Sequence, residues 1–238
     1  MNQQNHPTAY QRFRARSKSL LRDNKSLIIA ELIVALLILV VYLADFIPLS
    51  ATPFLFLLGW LSLWLRGSGW RAVGLKRPAR WRHTLLLGIA VGVVYQFFSL
   101  YALEPLIVLL TGKTIDLSQF VPIKGNVFLL LLFLAIVWTL AAFGEEFVNR
   151  GYLMNRVAEL GGESGAAWMA SLVVVSILFG VAHLYQGVSG VVTNIAAGLV
   201  YGALYLWSGR NLWAPIIAHG VFDTVALALI FWGKYPGL

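Results

Sequence analysis

Seven long apolar runs dominate this sequence and constrain its fold more than any other feature. A transmembrane helix needs about 20 mostly apolar residues, and most of the runs approach or exceed that length. The sequence therefore predicts an all-α integral membrane protein, a polytopic bundle of about seven transmembrane helices. The predicted spans are residues 27–46, 50–65, 84–111, 126–147, 166–184, 189–208 and 212–233.

The third run is the least regular of the seven. It is too long for one straight span and contains Glu104-Pro105, so we expect a tilt, a kink or a break there. A break would raise the number of membrane helices from seven to eight, and both counts stay open.

Composition supports the membrane assignment and limits the chemistry. Of the 238 residues, 59% are hydrophobic and only 12% are charged, whereas a soluble domain carries about a quarter charged residues. The mean hydropathy is +0.78. The chain contains no cysteine, which excludes disulfides and thiolate metal sites.

The net charge of +8 comes from two clusters. Six of the 18 Lys and Arg residues lie in residues 1–26 and six in residues 66–83. Short basic segments beside apolar spans are typical of the cytoplasmic side of a membrane, and they explain the charge better than nucleic-acid binding does. We predict a multi-pass protein of the cell membrane with a cytoplasmic N-terminus. Its parts are a basic tail (1–26), two membrane helices (27–65), a basic cytoplasmic loop (66–83) and a membrane core (84–238).

Two glycine pairs predict close helix packing. Gly88 with Gly92 and Gly198 with Gly202 each form a G-x-x-x-G, a spacing that lets helices approach closely in lipid. We expect these contacts within one chain rather than between two copies.

Ionisable residues concentrate in three short strings within or beside the apolar spans. The strings are "EEFVNR" with Glu145 and Glu146, "FGVAH" with His183, and "HGVFD" with His219 and Asp223. Charged groups at membrane depth are costly, so they usually face the protein interior or a wet cavity. Glu31 and Glu104 lie near membrane depth too, but no partner is evident for either, and we assign them no catalytic role.

Helical spacing gives each string a geometry. Residues four apart share a helix face, so Glu146 can pair with Arg150. Glu145 lies about 100° around the helix from Glu146 and can point elsewhere, toward a cavity. By the same spacing Phe179 can wall one side of His183. Asp223 shares a face with His219, where its carboxylate can fix the ring's tautomer or itself meet a substrate.

Counting from the turn at residues 161–165 predicts which strings meet. If the helix that carries Glu145 continues to about Leu160 and the next helix runs back antiparallel, Glu145 and His183 both lie roughly 25 to 30 Å from that turn. His219 is less well placed, since it comes only eight residues after residues 209–211. A tilted or bent helix must bring it to the others.

A carboxylate and an imidazole together can hold and deprotonate a water molecule. A bound metal would lower the pKa of that water further. A second histidine with a hydrogen-bonding neighbour can stabilise an oxyanion. These groups suit amide hydrolysis without a serine or cysteine nucleophile. The sequence contains neither H-E-x-x-H nor G-x-S-x-G, which disfavours ordinary zinc proteases and serine hydrolases.

The three strings also carry a family resemblance. "EEFVNRG", "FGVAH" and "HGVFD", in this order, resemble the motifs E-E-x-x-x-R-G, F-x-x-x-H and H-x-x-x-(N/D) of the CPBP family, the CAAX prenyl-protease and bacteriocin-processing proteins, also called Abi. The segment "VGLKRPARW" resembles the loop before the core in many members. The resemblance covers roughly residues 70–232 and implies an intramembrane endopeptidase.

The resemblance implies a role for each matched position. Glu145 would be the base that activates water together with His183, Glu146 and Arg150 would be supporting, charge-paired residues, and Phe179 would shape the site. His219 and Asp223 would stabilise the oxyanion. Asp223 stands where many members have asparagine, so it would be protonated, orient His219 or help hold a metal. Zinc is a candidate cofactor only, with Glu145, His183 and His219 as candidate ligands.

A non-enzymatic reading stays open beside the enzyme. A membrane scaffold or bacteriocin-immunity protein could keep this fold and bind a peptide partner. A scaffold has no evident use for a buried carboxylate and imidazole, and a transporter would more naturally show paired broken helices. The expected partners are the lipid bilayer and a peptide or membrane-protein substrate, prenylated or not. The oligomeric state is not predicted.

Overall fold

A computed structural model of the chain describes residues 21, 24–48 and 50–238. Within this part the chain is helical and has no strand. Most of the predicted basic tail, residues 1–20 and 22–23, lies outside the described residues. The helices, numbered here α1 to α7, are Lys25–Leu43, Thr52–Leu65, Trp81–Thr111, Val127–Leu160, Gly165–Val181, Gly187–Trp207 and Trp213–Phe231. Short 3₁₀ turns lie at Trp70–Val73, Ser118–Ile123 and Leu184–Gln186.

Five of these helices are long and apolar enough to cross a membrane, namely α1, α3, α4, α6 with the turn before it, and α7. The other two, α2 and α5, are apolar but shorter, with 14 and 17 residues. Large apolar side chains cover the outside of the bundle: Leu109 is 81% exposed and Phe128 is 74% exposed. The fold is therefore a helical multi-pass membrane bundle, and the exact number of crossings stays a prediction.

Helix α3 begins three residues earlier than predicted, because Trp81–His83 of the predicted loop 66–83 already lie in its first turn. It continues through Glu104-Pro105 instead of breaking there. The turn Ser99–Leu103 just before that pair has π-helical hydrogen bonding. Proline lacks the N–H that a regular helix needs, and the wider turn lets the helix pass it.

Helix α4 runs without interruption to Leu160, as the counting argument requires. Two of its segments, Val137–Glu145 and Phe147–Leu153, are π-helical. The string that carries Glu145, Glu146 and Arg150 therefore lies in distorted helix. Such distortions of an α-helix are frequent at functional sites, but nothing in the sequence indicated these.

The two glycine pairs pack helices within the chain. A Cβ added at Gly88 would lie 2.7 Å from the Ile217 side chain on α7, and one at Gly92 would lie 2.5 Å from the carbonyl oxygen of Ala218. A Cβ at Gly198 would lie 2.8 Å from Ser176 on α5. The prediction of internal packing is confirmed: α3 packs against α7, which carries His219, and α6 packs against α5, which carries Phe179.

Candidate active site

A cavity of about 1080 Å³ lies between the helices and collects most of the predicted site residues. Five of them line it: Glu145, Phe179, His183, His219 and Asp223. Side chains of α1 line it as well. Glu145, His183 and His219 thus line one cavity, and the sharing of one water by Glu145 and His183 stays a prediction.

Glu146 lies behind the cavity wall and is fully buried. Its Oε1 accepts one hydrogen bond from Arg150 Nη1 at 2.8 Å and another from His219 Nδ1 at 2.9 Å. The predicted pairing of Glu146 with Arg150 is confirmed. The contact with His219 was not predicted, because it joins residues 73 positions apart and no sequence spacing indicates it.

Arg150 is held on three sides. Besides Glu146, its Nη2 donates to the carbonyl of Gly198 at 3.0 Å. Its guanidinium carbon lies 4.8 Å from the centre of the Phe179 ring and 5.6 Å from that of Tyr201. Such cation–π contacts strengthen when they are desolvated. Arg150 thus ties α4 to α5 and α6 directly behind the cavity.

His219 has a carboxylate at each ring nitrogen. Nδ1 donates to Glu146, since a carboxylate only accepts, and Nε2 lies 3.4 Å from Asp223 Oδ2. The ring also stacks on Tyr201, with centroids 4.9 Å apart and planes 20° apart. The prediction that His219 and Asp223 share a helix face is confirmed. Counting residues along the helices placed His219 only loosely near the other strings, and its contact with Glu146 shows that the two strings meet.

His183 follows directly after α5 and has a defined tautomer. Its Nδ1 lies 2.8 Å from the carbonyl oxygen of Phe179. Because a carbonyl only accepts, Nδ1 carries the hydrogen of a neutral ring and Nε2 keeps a lone pair. The Phe179 ring packs against this imidazole with centroids 4.8 Å apart. The ring is therefore oriented as a hydrogen-bond acceptor.

Glu145 points in a different direction from its neighbour Glu146, as helical geometry predicted. It lines the cavity and is only partly buried, whereas Glu146 is fully buried and does not line it. Within the described residues Glu145 Oε2 has no hydrogen-bond partner. An unpaired carboxylate oxygen at the cavity wall can accept a proton from a bound water.

Neutral amides complete the polar part of the wall, and sequence reasoning missed them. Asn149 donates to the backbone carbonyl of Glu145 at 2.8 Å, and Asn194 donates to Gln186 Oε1 at 2.9 Å. All three amides line the cavity. Asn149 belongs to the quoted string "EEFVNR", and its place in that string could have indicated that it belongs to the site. Asn194 and Gln186 lie in no string of ionisable residues.

The candidate zinc ligands do not form a metal site as arranged. Among the described residues, no group of three or more His, Asp or Glu side chains could hold a metal ion. His219 is not placed as a metal ligand, because its two ring nitrogens face the carboxylates of Glu146 and Asp223. We therefore derive no step through zinc, and metal dependence stays a prediction.

Comparison with known proteins agrees with the motifs. Residues 127–225 match the family model described as type II CAAX prenyl endopeptidase Rce1-like. This segment holds α4, α5, α6 and much of α7, and all seven predicted site residues fall within it. No curated protein and no solved structure matches the chain.

Proposed function

We propose, from the match of residues 127–225 to the Rce1-like model of type II CAAX prenyl endopeptidases, that the chain hydrolyses a peptide bond by means of water activated by Glu145 and His183. The observation that carries the proposal is the wall of one cavity. It presents a carboxylate oxygen without a partner and an imidazole with a free Nε2 lone pair. Both acceptors line the cavity, where a water molecule and a substrate can reach them.

The first step uses both acceptors on one water molecule. Nε2 of His183 accepts a hydrogen bond from the water and holds it, while Glu145 takes one of its protons. The water oxygen then forms a bond to the carbonyl carbon of the scissile peptide. The result is a tetrahedral intermediate with a negative oxygen and a protonated Glu145.

The second step needs a donor for that oxygen and a proton for the leaving group. With a hydrogen on each nitrogen, His219 donates to Glu146 through Nδ1 and can donate to the oxyanion through Nε2. The carbon–nitrogen bond breaks, and the proton on Glu145 passes to the amine. The products are a peptide with a new carboxyl group and a peptide with a new amino group.

Glu146, Arg150 and Phe179 act as positioning residues in this scheme. Glu146 fixes the Nδ1 side of His219, and Arg150 fixes Glu146. The carbonyl of Phe179 fixes the tautomer of His183. Asp223 orients the Nε2 side of His219, and asparagine could do the same through its carbonyl oxygen.

The substrate is a peptide or a segment of a membrane protein that reaches the cavity of this protein, which we place in the cell membrane. Apolar side chains of α1, including Leu32, Leu36 and Leu39, line the same cavity. They suit an apolar stretch next to the cleaved bond. A prenylated tail and an unmodified apolar peptide both fit this description.

Mass spectrometry of candidate peptides tests the proposal. Purified protein in liposomes is incubated with a prenylated CAAX peptide, a leader peptide and an apolar transmembrane peptide. We expect internal cleavage of at least one by the wild type and by Glu163→Gln, and no detectable cleavage by Glu145→Gln. Glu163 is a matched control, since its side chain is 55% exposed on the turn before α5. Binding of a peptide without cleavage by the wild type would favour the scaffold. Equal cleavage by the wild type and Glu145→Gln would contradict the role of Glu145 as the base.

A further inference from the structure

The two ends of the helical bundle differ in charge. Of the described residues, the basic end comprises 21, 24–25, 66–82, 161–164 and 208–212. Hydrogen bonds hold it together: Leu212 N donates to the carbonyl of Gly74 at 3.0 Å, and Asn211 Nδ2 donates to that of Lys76 at 3.0 Å. Lys76 Nζ in turn donates to the carbonyl of Gly209 at 3.0 Å. The loops after α2 and α6 therefore lie on one side of the bundle.

Of the described residues, the opposite end comprises 44–48, 50, 112–126, 182–186 and 232–238. Its segments also contact one another. Asp116 N donates to the carbonyl of Gln186 at 3.0 Å, and Gly125 N donates to that of Phe231 at 3.0 Å. Ser189 Oγ donates to the carbonyl of Lys113 at 2.7 Å.

Lys and Arg residues are distributed very unequally between these ends. The sequence has three at the opposite end, Lys113, Lys124 and Lys234, beside Asp45 and Asp116. A hydrogen bond from Ser118 lowers the pKa of Asp116 and keeps that carboxylate charged. Five more basic residues precede residue 24 in the sequence. The basic end carries Lys25, Arg66, Arg71, Lys76, Arg77, Arg80, Arg82 and Arg210.

This imbalance orients the protein. Cytoplasmic loops of membrane proteins carry an excess of Lys and Arg, counted in short loops close to the ends of the spans. Both the loop 66–82 and the segment before α1 satisfy that condition. The basic end is thus the cytoplasmic end, and the opposite end faces the other compartment.

The catalytic cavity reaches the surface segments of the opposite end only. Every segment of that end contributes lining residues, among them Asp45, Gln119, His183 and Tyr235. None of the described residues of the basic end lines it. His183 itself belongs to the opposite end. The polar mouth of the site therefore lies away from the basic loops.

We propose that the site opens on the extracytoplasmic face and takes its substrate there. The substrate class is then an exported peptide or the extracytoplasmic flank of a membrane protein, rather than a tail lipidated in the cytoplasm. The substrate class rests on the proposed endopeptidase function, whereas the orientation of the cavity does not.

The absence of cysteine from the sequence allows a direct test. Gln119→Cys places a thiol at the mouth of the cavity, and Ala79→Cys places one in the basic loop; both parent residues are exposed. Each variant is expressed in bacteria and treated with a membrane-impermeant maleimide that adds mass, in intact spheroplasts and again after solubilisation in detergent. Thr114→Cys, also at an exposed position of the opposite end, replaces Gln119→Cys if that variant fails to fold.

We expect Gln119→Cys to react in intact spheroplasts, and Ala79→Cys to react only after solubilisation. The reverse pattern would overturn the proposal, as would protection of both thiols in spheroplasts with labelling of both in detergent. Labelling requires no catalysis, so this outcome is separate from the peptide assay. A chain that cleaves nothing can still support the orientation, and an active chain can still contradict it.

Discussion

Two buried glutamate–arginine pairs of this protein have nearly the same chemistry and different surroundings. Arg150 contacts Glu146 at 2.8 Å, and Arg66 contacts Glu31 at 2.9 Å. All four side chains are at most 7% exposed. We call Glu146–Arg150 the site pair and Glu31–Arg66 the anchor pair.

The difference lies in what else each pair contacts. In the site pair, Glu146 also accepts a hydrogen bond from His219, which lines the cavity. In the anchor pair, Arg66 also donates to Ser62 Oγ at 3.3 Å and to the backbone carbonyl of Leu21. Neither Glu31 nor Arg66 lines the cavity. The anchor pair joins α1 to α2, outside the segment matched by the family. A buried ion pair alone thus says little about function, and its further contacts decide its role.

The largest effect should come from the two unfilled acceptors at the cavity wall. Loss of a positioned general base costs about 10² to 10⁴ in rate. We expect His183→Ala to lower the cleavage rate as much as Glu145→Gln does, and the double variant to be little worse than either, because the two groups act as one unit. Initial rates on one peptide measure this. If the rate loss of the double variant equals the product of the two single losses, the two residues act independently.

Breaking either ion pair should lower stability strongly, but only one should also lower catalysis. Removing one partner of a buried pair costs about 3 to 5 kcal/mol, because the remaining charge is left uncompensated. We expect lower thermal unfolding midpoints in detergent for both Arg150→Ala and Arg66→Ala. The cleavage rate per folded molecule should fall in Arg150→Ala alone. An unchanged midpoint in Arg150→Ala would contradict the burial of the site pair.

A milder change inside the site pair sharpens the comparison. Glu146→Gln keeps the shape of the side chain but removes the charge that faces Arg150 and His219. We expect it to lower the unfolding midpoint more than Glu145→Gln does and the turnover less, because Glu146 positions His219 and does not meet the water. Parallel rates and midpoints for both glutamine variants provide the check. A turnover loss in Glu146→Gln as large as that in Glu145→Gln would contradict the assignment of Glu146 as a positioning residue only.

The smallest effect should come from Asp223→Asn. The Oδ2 of Asp223 lies 3.4 Å from His219 Nε2, which is long for a strong ion pair. Asparagine offers an acceptor oxygen at the same position, so we expect turnover within a few-fold of the wild type. The kcat and KM for one peptide measure this. A loss approaching that of Glu145→Gln would assign the aspartate charge a direct part in the reaction.

The sequence predicted the parts of this molecule that depend on local spacing. Apolar runs located the seven long helices of the described residues, and spacing of four residues gave Glu146 with Arg150 and His219 with Asp223. Contacts between distant segments were not predictable, such as Glu146 with His219 or Glu31 with Arg66. No periodicity links such positions, and only packing joins them. The π-helical turns of α4 escaped prediction too, since no proline lies within Val137–Glu145 or Phe147–Leu153.

Neutral lining residues were beyond reach for a related reason. Asn149, Asn194 and Gln186 carry no charge whose burial would be costly enough to be conspicuous in an apolar run. The Leu residues of α1 that wall the cavity are indistinguishable in sequence from Leu residues that face lipid. Their contribution to the site became visible only once α1 was seen packed against the core.

The most direct test of this account changes one glutamate to glutamine in each region and measures both rate and stability. Glu145→Gln should lose about 10² to 10⁴ in cleavage rate and keep its thermal unfolding midpoint, since the unpaired oxygen Oε2 makes no hydrogen bond to lose. Glu31→Gln should keep its rate per folded molecule and unfold at a lower temperature, because Arg66 loses a charged partner. Full activity of Glu145→Gln on a peptide that the wild type cleaves would contradict the central claim.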